Sequence, residues 1–200
     1  MLCVGLVVSM GVTAGAAAGP TEDVEDSGWG VVINGEYTPG AEIDVLFPET
    51  GSRPGEVTPM LLDPVDLVAC NVLNQVDHEV RRIDDVKYFS SLGGGSVSLT
   101  CGDSKHGYRH IRDRHQQDWQ NVIAKVDDTH SRWDDFMFFV VRESLTYPAR
   151  VVDKSDNKIC YTAPIILINS DMVPVYEFHP TVIIGADTKK VITAHPGDRC

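Results

Sequence analysis

Three of the seven histidines fall within ten residues, at His106, His110 and His115. Lys105, Arg109, Arg112 and Arg114 stand among them against Asp113 alone, which makes this the most basic stretch of an acidic chain. Imidazole exchanges protons near neutral pH, and guanidinium and ammonium groups bind phosphate oxygens. Such a positive field works locally, because physiological salt screens charges beyond about 8 Å. A second cluster lies near the C-terminus. In VITAH, alternation along a strand puts Val191, Thr193 and His195 on one side, with Ile192 and Ala194 on the other.

Three chemistries fit these residue types. The first is a metal site, since His106 and His110 have HxxxH spacing. A zinc protease motif needs Glu where Gly107 stands, and no third ligand is evident, so the expectation is no metal or cofactor, with a metal-dependent nuclease kept as an alternative. The second is metal-independent RNA cleavage. A base takes the proton of a ribose 2′-OH, an acid protonates the leaving 5′-oxygen, and Arg or Lys steadies the charge on phosphorus. The third is no catalysis: His115, on the apolar face of a helix, is a buried hydrogen-bonded core residue, and the arginines form a solvated or partner-binding face. The residues alone leave all three open.

Composition is globular, with 42% hydrophobic and 23% charged residues over 200 positions, enough for one domain of ordinary size. The net charge of −12 argues against a protein whose whole surface binds nucleic acid. That average hides a division. Residues 1–100 carry 4 Lys/Arg against 15 Asp/Glu, whereas residues 101–200 carry 13 against 14. We therefore read residues 19–99 as an acidic N-terminal region and residues 100–200 as the domain that bears the chemistry.

Leu2 to Val12 is an apolar run followed by small residues, with Ala16-Ala17-Ala18 as a cleavage site. Residues 1–18 read as a secretory signal, although no Lys or Arg precedes the run, and the mature chain is expected to be secreted and free of the membrane. Cys70, Cys101, Cys160 and Cys200 remain after the signal, with no CxxC pair, and suggest two disulfides in any of three pairings.

Hydrophobic periodicity predicts one or two helices within Asp63 to Lys87. It predicts another over HIRDRHQQDWQNVIAKV (110–126) and a further one over SRWDDFMFFVVRESL (131–145), where Ser131 and Asp134 resemble a capping box. The strand-like VVING is followed by a turn into a short extended piece ending near Phe47. Downstream of Pro148 the period becomes two: ARVVDK and KICYTAPIILI form a hairpin, and VPVYEF, TVIIG and VITAH follow as strands. Pro164 and Pro180 suggest edges or bulges. The fold class expected is α+β, two helices followed by an antiparallel sheet of four or more strands, with an acidic N-terminal extension.

HIRDRH at a helix start and VITAHP on the closing strand, joined by two helices and a strand meander, resemble the secreted toxin ribonucleases of the barnase–EndoU–colicin–RelE (BECR) superfamily. The resemblance covers roughly residues 100–200. It implies a barnase-like fold and a metal-independent endoribonuclease acting on RNA. His110 would be general acid or base, and His115 its partner or support. Lys105, Arg109 and Arg114 would hold phosphate, with Thr193 hydrogen-bonded to it. His195, where many relatives have an aromatic residue, would be the second acid or base. Such toxins pair with an immunity or inhibitor protein. The signal and short N-terminal region suit a free-standing secreted ribonuclease.

Overall fold

Asn34 and Gly35 both adopt positive φ, at 52° and 84°, the backbone of a two-residue hairpin turn. They fold Gly30–Ile33 (β1) back on Glu36–Pro39 (β2). The computed structural model describes residues 28–45, 61–87, 95–126 and 133–200. The signal reading of residues 1–18 lies outside these residues, as does Ser131 of the expected capping box. After β2 the chain enters a short helix, Gly40–Val45 (α1), where an extended piece was expected.

Asp63 caps the next helix, accepting the Asp66 N–H at 2.7 Å, and Pro64 begins it. Pro64–Leu67 (α2) runs into a π-helical turn, Val68–Val72, and helix ends there. The expected helix within residues 63–87 thus occupies only residues 64–72, and the rest of that block is not helical, because Glu79–Val86 is a strand (β3) paired with Gly95–Thr100 (β4). Its apolar residues Val80, Ile83 and Val86 are all buried at a spacing of three. Register shifts on either side of Arg81–Ile83 make that spacing compatible with a strand.

The helices Gly107–Ile123 (α3) and Trp133–Thr146 (α4) lie where periodicity places them. In α4 every residue from Phe136 to Val141 is buried, so the middle of this helix is enclosed on all sides. The later strands are Arg150–Lys154 (β5), Lys158–Thr162 (β6), Ile165–Ile168 (β7), Pro174–Phe178 (β8), Thr181–Gly185 (β9) and Val191–His195 (β10).

Those strands do not form one sheet. Among the described residues ten strands make three antiparallel sheets, ordered β2-β1-β7-β8, β10-β9-β6-β5 and β3-β4, and the architecture is mostly β. The expected fold of two helices followed by one sheet is therefore corrected. The reason lies in two prolines. Pro164 separates β6 from β7 and Pro180 separates β8 from β9, and at each the chain crosses between the four-stranded sheets. Proline cannot donate to a ladder and forces an extended residue before it, so each marks a crossing. β1 joins the later strands through β7, with Val31 opposite Leu167. Among the described residues no helix is long and apolar enough to cross a membrane.

Both disulfides form. Cys70–Cys101 ties the π-helical turn to the residue after β4, and Cys160–Cys200 ties β6 to the chain end.

Candidate functional site

The edge strands β8 and β10 belong to different sheets, and α3 covers the seam between them. Trp119, fully buried on α3, makes the join. Its ring centroid lies 6.3 Å from that of Phe178 on β8, and its indole N–H donates to the Ala194 carbonyl on β10 at 3.2 Å. That bond satisfies a carbonyl on an edge strand. One turn before Trp119, His115 is brought against His195, with ring centroids 5.1 Å apart, and His110 stands 6.0 Å from His115. Two imidazoles of α3 and one of β10 thus form a chain, with His115 in the middle.

Each ring is held through Nδ1. His110 Nδ1 lies 2.9 Å from the Ser104 carbonyl, which can only accept, so Nδ1 carries the proton. His115 Nδ1 faces Asp118 Oδ2 at 3.1 Å and likewise donates. His195 is the reverse, since its Nδ1 accepts the Gly197 backbone N–H at 3.2 Å. In the neutral ring its proton therefore sits on Nε2. Among the described residues the Nε2 atoms of His110 and His115 have no hydrogen-bond partner.

The loop that presents Ser104 is fixed at both ends. The Arg109 N–H donates to the Cys101 carbonyl at 2.9 Å, and the Asp103 N–H to the His106 carbonyl at 2.9 Å. Gly102 sits at φ 67°, and a Cβ there would fall 1.9 Å from the His106 oxygen, so only glycine fits. Cys101, held by its disulfide, starts the loop.

His195 is 8% exposed. Burial above all, then the positive charges of His115 and Arg199, push its pKa down to about 4, with Asp118 opposing. His195 is therefore neutral at pH 7. An unfolded histidine takes up its proton near pH 6.5, so between pH 6.5 and 4 the unfolded state binds more protons, and stability falls as pH falls. This one group is expected to remove about 3 kcal/mol across that window. Urea unfolding of the parent and a His195→Gln variant at pH 7 and pH 4 measures it. Equal pH dependence in the two would contradict it.

The expectation that Val191, Thr193 and His195 share one side is corrected by a bulge at Ile192. Val191 pairs with Ile184, but Thr193 pairs with Ile183 and His195 with Thr181. Val191 and Ala194 thus turn to the core and are fully buried, while Thr193 and His195 share the opposite face. Thr193 Oγ1 is buried with no hydrogen-bond partner among the described residues. A Thr193→Val variant is expected to melt at the parent temperature or slightly above, because no bond is lost. A fall of more than about 1 kcal/mol would show that the hydroxyl is bonded.

Of the residues read as phosphate ligands, Arg109 and Arg114 precede His110 and His115, and neither guanidinium is paired among the described residues. Lys105 lies elsewhere. With His106, Lys158 and Lys190 it lines a cleft of about 640 Å³ on which Asp77, Asp156 and Asp187 also border. His106 itself pairs with Asp103 at 3.1 Å. Sequence reading missed Asp118, although its i+3 spacing from His115 was a usable signal. It also missed Ser104 and Gly197, which act through backbone atoms and leave no signal in residue type. Among the described residues no three His, Cys, Asp or Glu side chains converge as metal ligands.

No protein-family model matches this chain. Two uncharacterized proteins of Mycobacterium tuberculosis, from strains CDC 1551 and H37Rv, are each 32% identical to it over 108 residues. That stretch is 54% of this chain and 39% of each relative, so the chain spans well under half the length of the curated relatives it matches. No solved structure matches it.

Proposed function

We propose that the chain is an endoribonuclease that cleaves RNA without a metal ion. The observation that carries this reading is the meeting of three imidazoles whose Nδ1 atoms are all engaged, leaving Nε2 of His110 and His115 free beside a neutral His195. One of the pair takes the proton of a ribose 2′-OH as the 2′-oxygen bonds to phosphorus. The other gives a proton to the 5′-oxygen as its bond to phosphorus breaks. The products are a 2′,3′-cyclic phosphate and a free 5′-hydroxyl. His195, proton on Nε2, donates to a non-bridging phosphate oxygen, and Arg109 and Arg114 offset the charge.

The likeness to BECR ribonucleases supports the chemistry through HIRDRH and VITAHP, while the three-sheet architecture is not the one that likeness implied. Two disulfides support an exported protein, since such bonds persist in oxidising compartments. A toxin role, with an inhibitor protein as partner, belongs to the same proposal.

A DNA oligonucleotide carrying one ribonucleotide tests the reading. Incubated in EDTA with the oxidised protein, it is expected to break only on the 3′ side of the ribonucleotide, and the all-deoxy strand is expected to survive. An intact chimeric strand beside folded protein would overturn the reading in favour of a binding module.

A further inference from the structure

Beyond His195 the seam opens into a cleft of about 390 Å³, within the range of small-ligand sites. The end of α3 supplies Asn121 and the turn after it Lys125, β8 supplies Tyr176, and the C-terminal tail supplies Arg199. His195 forms part of its wall, so whatever enters lies next to the imidazole cluster. Tyr176 is an exposed aromatic on an edge strand, with the Lys125 ammonium 4.4 Å from its ring centre. Neither Lys125 nor Arg199 makes a side-chain ion pair among the described residues. The Arg199 backbone is nonetheless fixed, its N–H donating to Thr181 Oγ1 at 2.7 Å and its carbonyl accepting from Lys154 at 3.1 Å. Asp118 also borders the cleft, but its carboxylate already accepts from His115.

Two cations free of ion pairs beside a partly exposed aromatic ring, against which Phe178 stacks at 5.9 Å, have a specific complement: a phosphate joined to a planar base. An inorganic anion would use the cations and leave the ring idle, and an apolar ligand would leave both cations unmatched. We propose that this cleft is a nucleotide subsite, holding the nucleotide next to the scissile phosphate with its base on Tyr176 and its phosphate between Lys125 and Arg199. The flexible lysine, which covers the ring in the free protein, moves onto the phosphate as the base takes its place. The Asn121 amide nitrogen is available to hydrogen-bond the base edge, since its Oδ1 already accepts from Gln117. The adjacency to a scissile phosphate rests on the ribonuclease reading; the binding itself does not.

The test uses the oxidised full chain in EDTA and calorimetry with adenosine 3′-monophosphate, uridine 3′-monophosphate and inorganic phosphate. Nucleotides are expected to bind about tenfold or more tightly than phosphate. Tyr176→Ala is expected to erase that difference, while Arg199→Ala weakens both kinds of ligand. Tyr147→Ala, an exposed tyrosine of another cleft, should change nothing. Nucleotides binding no better than phosphate, or a Tyr176→Ala variant that binds them as the parent does, would overturn the subsite. The two claims separate cleanly. Tyr176-dependent nucleotide binding without RNA cleavage keeps the subsite and removes the nuclease. Cleavage with KM unchanged by Tyr176→Ala keeps the nuclease and removes the subsite.

Discussion

A His115→Ala variant is expected to lose RNA cleavage by about two to four orders of magnitude while remaining folded. The fold survives because the ring is no core anchor: its side chain is 21% exposed, and the Asp118 carboxylate it leaves behind is 55% exposed and returns to solvent. The stability cost should be about 1 kcal/mol, from the lost contact with His195. His115→Gln fills much of the same space and still cannot transfer a proton, so it should lose activity equally. A substrate with sulfur in place of the bridging 5′-oxygen divides the roles within the pair, because a thiolate leaves without help from an acid. Cleavage of that substrate is restored only in the variant lacking the acid, whether His115→Ala or its His110→Ala counterpart. Activity within threefold of the parent, with a lowered melting temperature, would make His115 a structural residue.

Removing the Cys160–Cys200 disulfide by a double alanine substitution has the second large effect. The bond closes a loop with a sequence separation of 40, and loop-closure entropy for that length amounts to about 4 kcal/mol. For a chain of this size the melting temperature should fall by about 10 °C. The remaining ties on the tail are weaker. The Arg150–Asp198 pair, at 2.7 Å, has both side chains roughly half exposed and is worth about 0–1 kcal/mol. Thr181 adds two hydrogen bonds, to the Gly197 carbonyl and from the Arg199 N–H, at 2.6 and 2.7 Å. Once the tail is loose, the Gly197 N–H no longer holds His195 Nδ1 and Arg199 leaves the cleft. Cleavage is therefore expected to fall at least about tenfold at temperatures where the variant is still folded. Unchanged cleavage by the folded double variant would mean that the tail takes no part in the site.

Some of this was legible in the residue pattern. Helices α3 and α4 follow apolar spacing, the β5–β6 hairpin follows alternation about Asp156 and Asn157, and the clustering of histidines and arginines pointed to His110, His115 and His195. What escaped the pattern is non-local. Nothing in VVING announces that Val31 pairs with Leu167 across more than a hundred residues. KICYTAPIILI looks like one strand because its apolar residues continue through Pro164, yet the proline hands the chain to another sheet. The bulge at Ile192 shifts Val191 to the core face and cannot be inferred from VITAH alone. Lys105 belongs by sequence to the basic stretch but lines a different cleft, because α3 begins after it and carries His110 beside His115.

The most direct test of the central claim is the chemistry of the cut ends. Purified, oxidised protein is incubated with mixed RNA in excess EDTA, beside His110→Ala and His115→Ala variants, and the termini are identified by mass spectrometry. The parent is expected to leave 2′,3′-cyclic phosphate and 5′-hydroxyl ends, and both variants are expected to lose cleavage. Intact RNA in EDTA that is cut once a divalent metal is restored, or cleavage that persists in both variants, would contradict the claim.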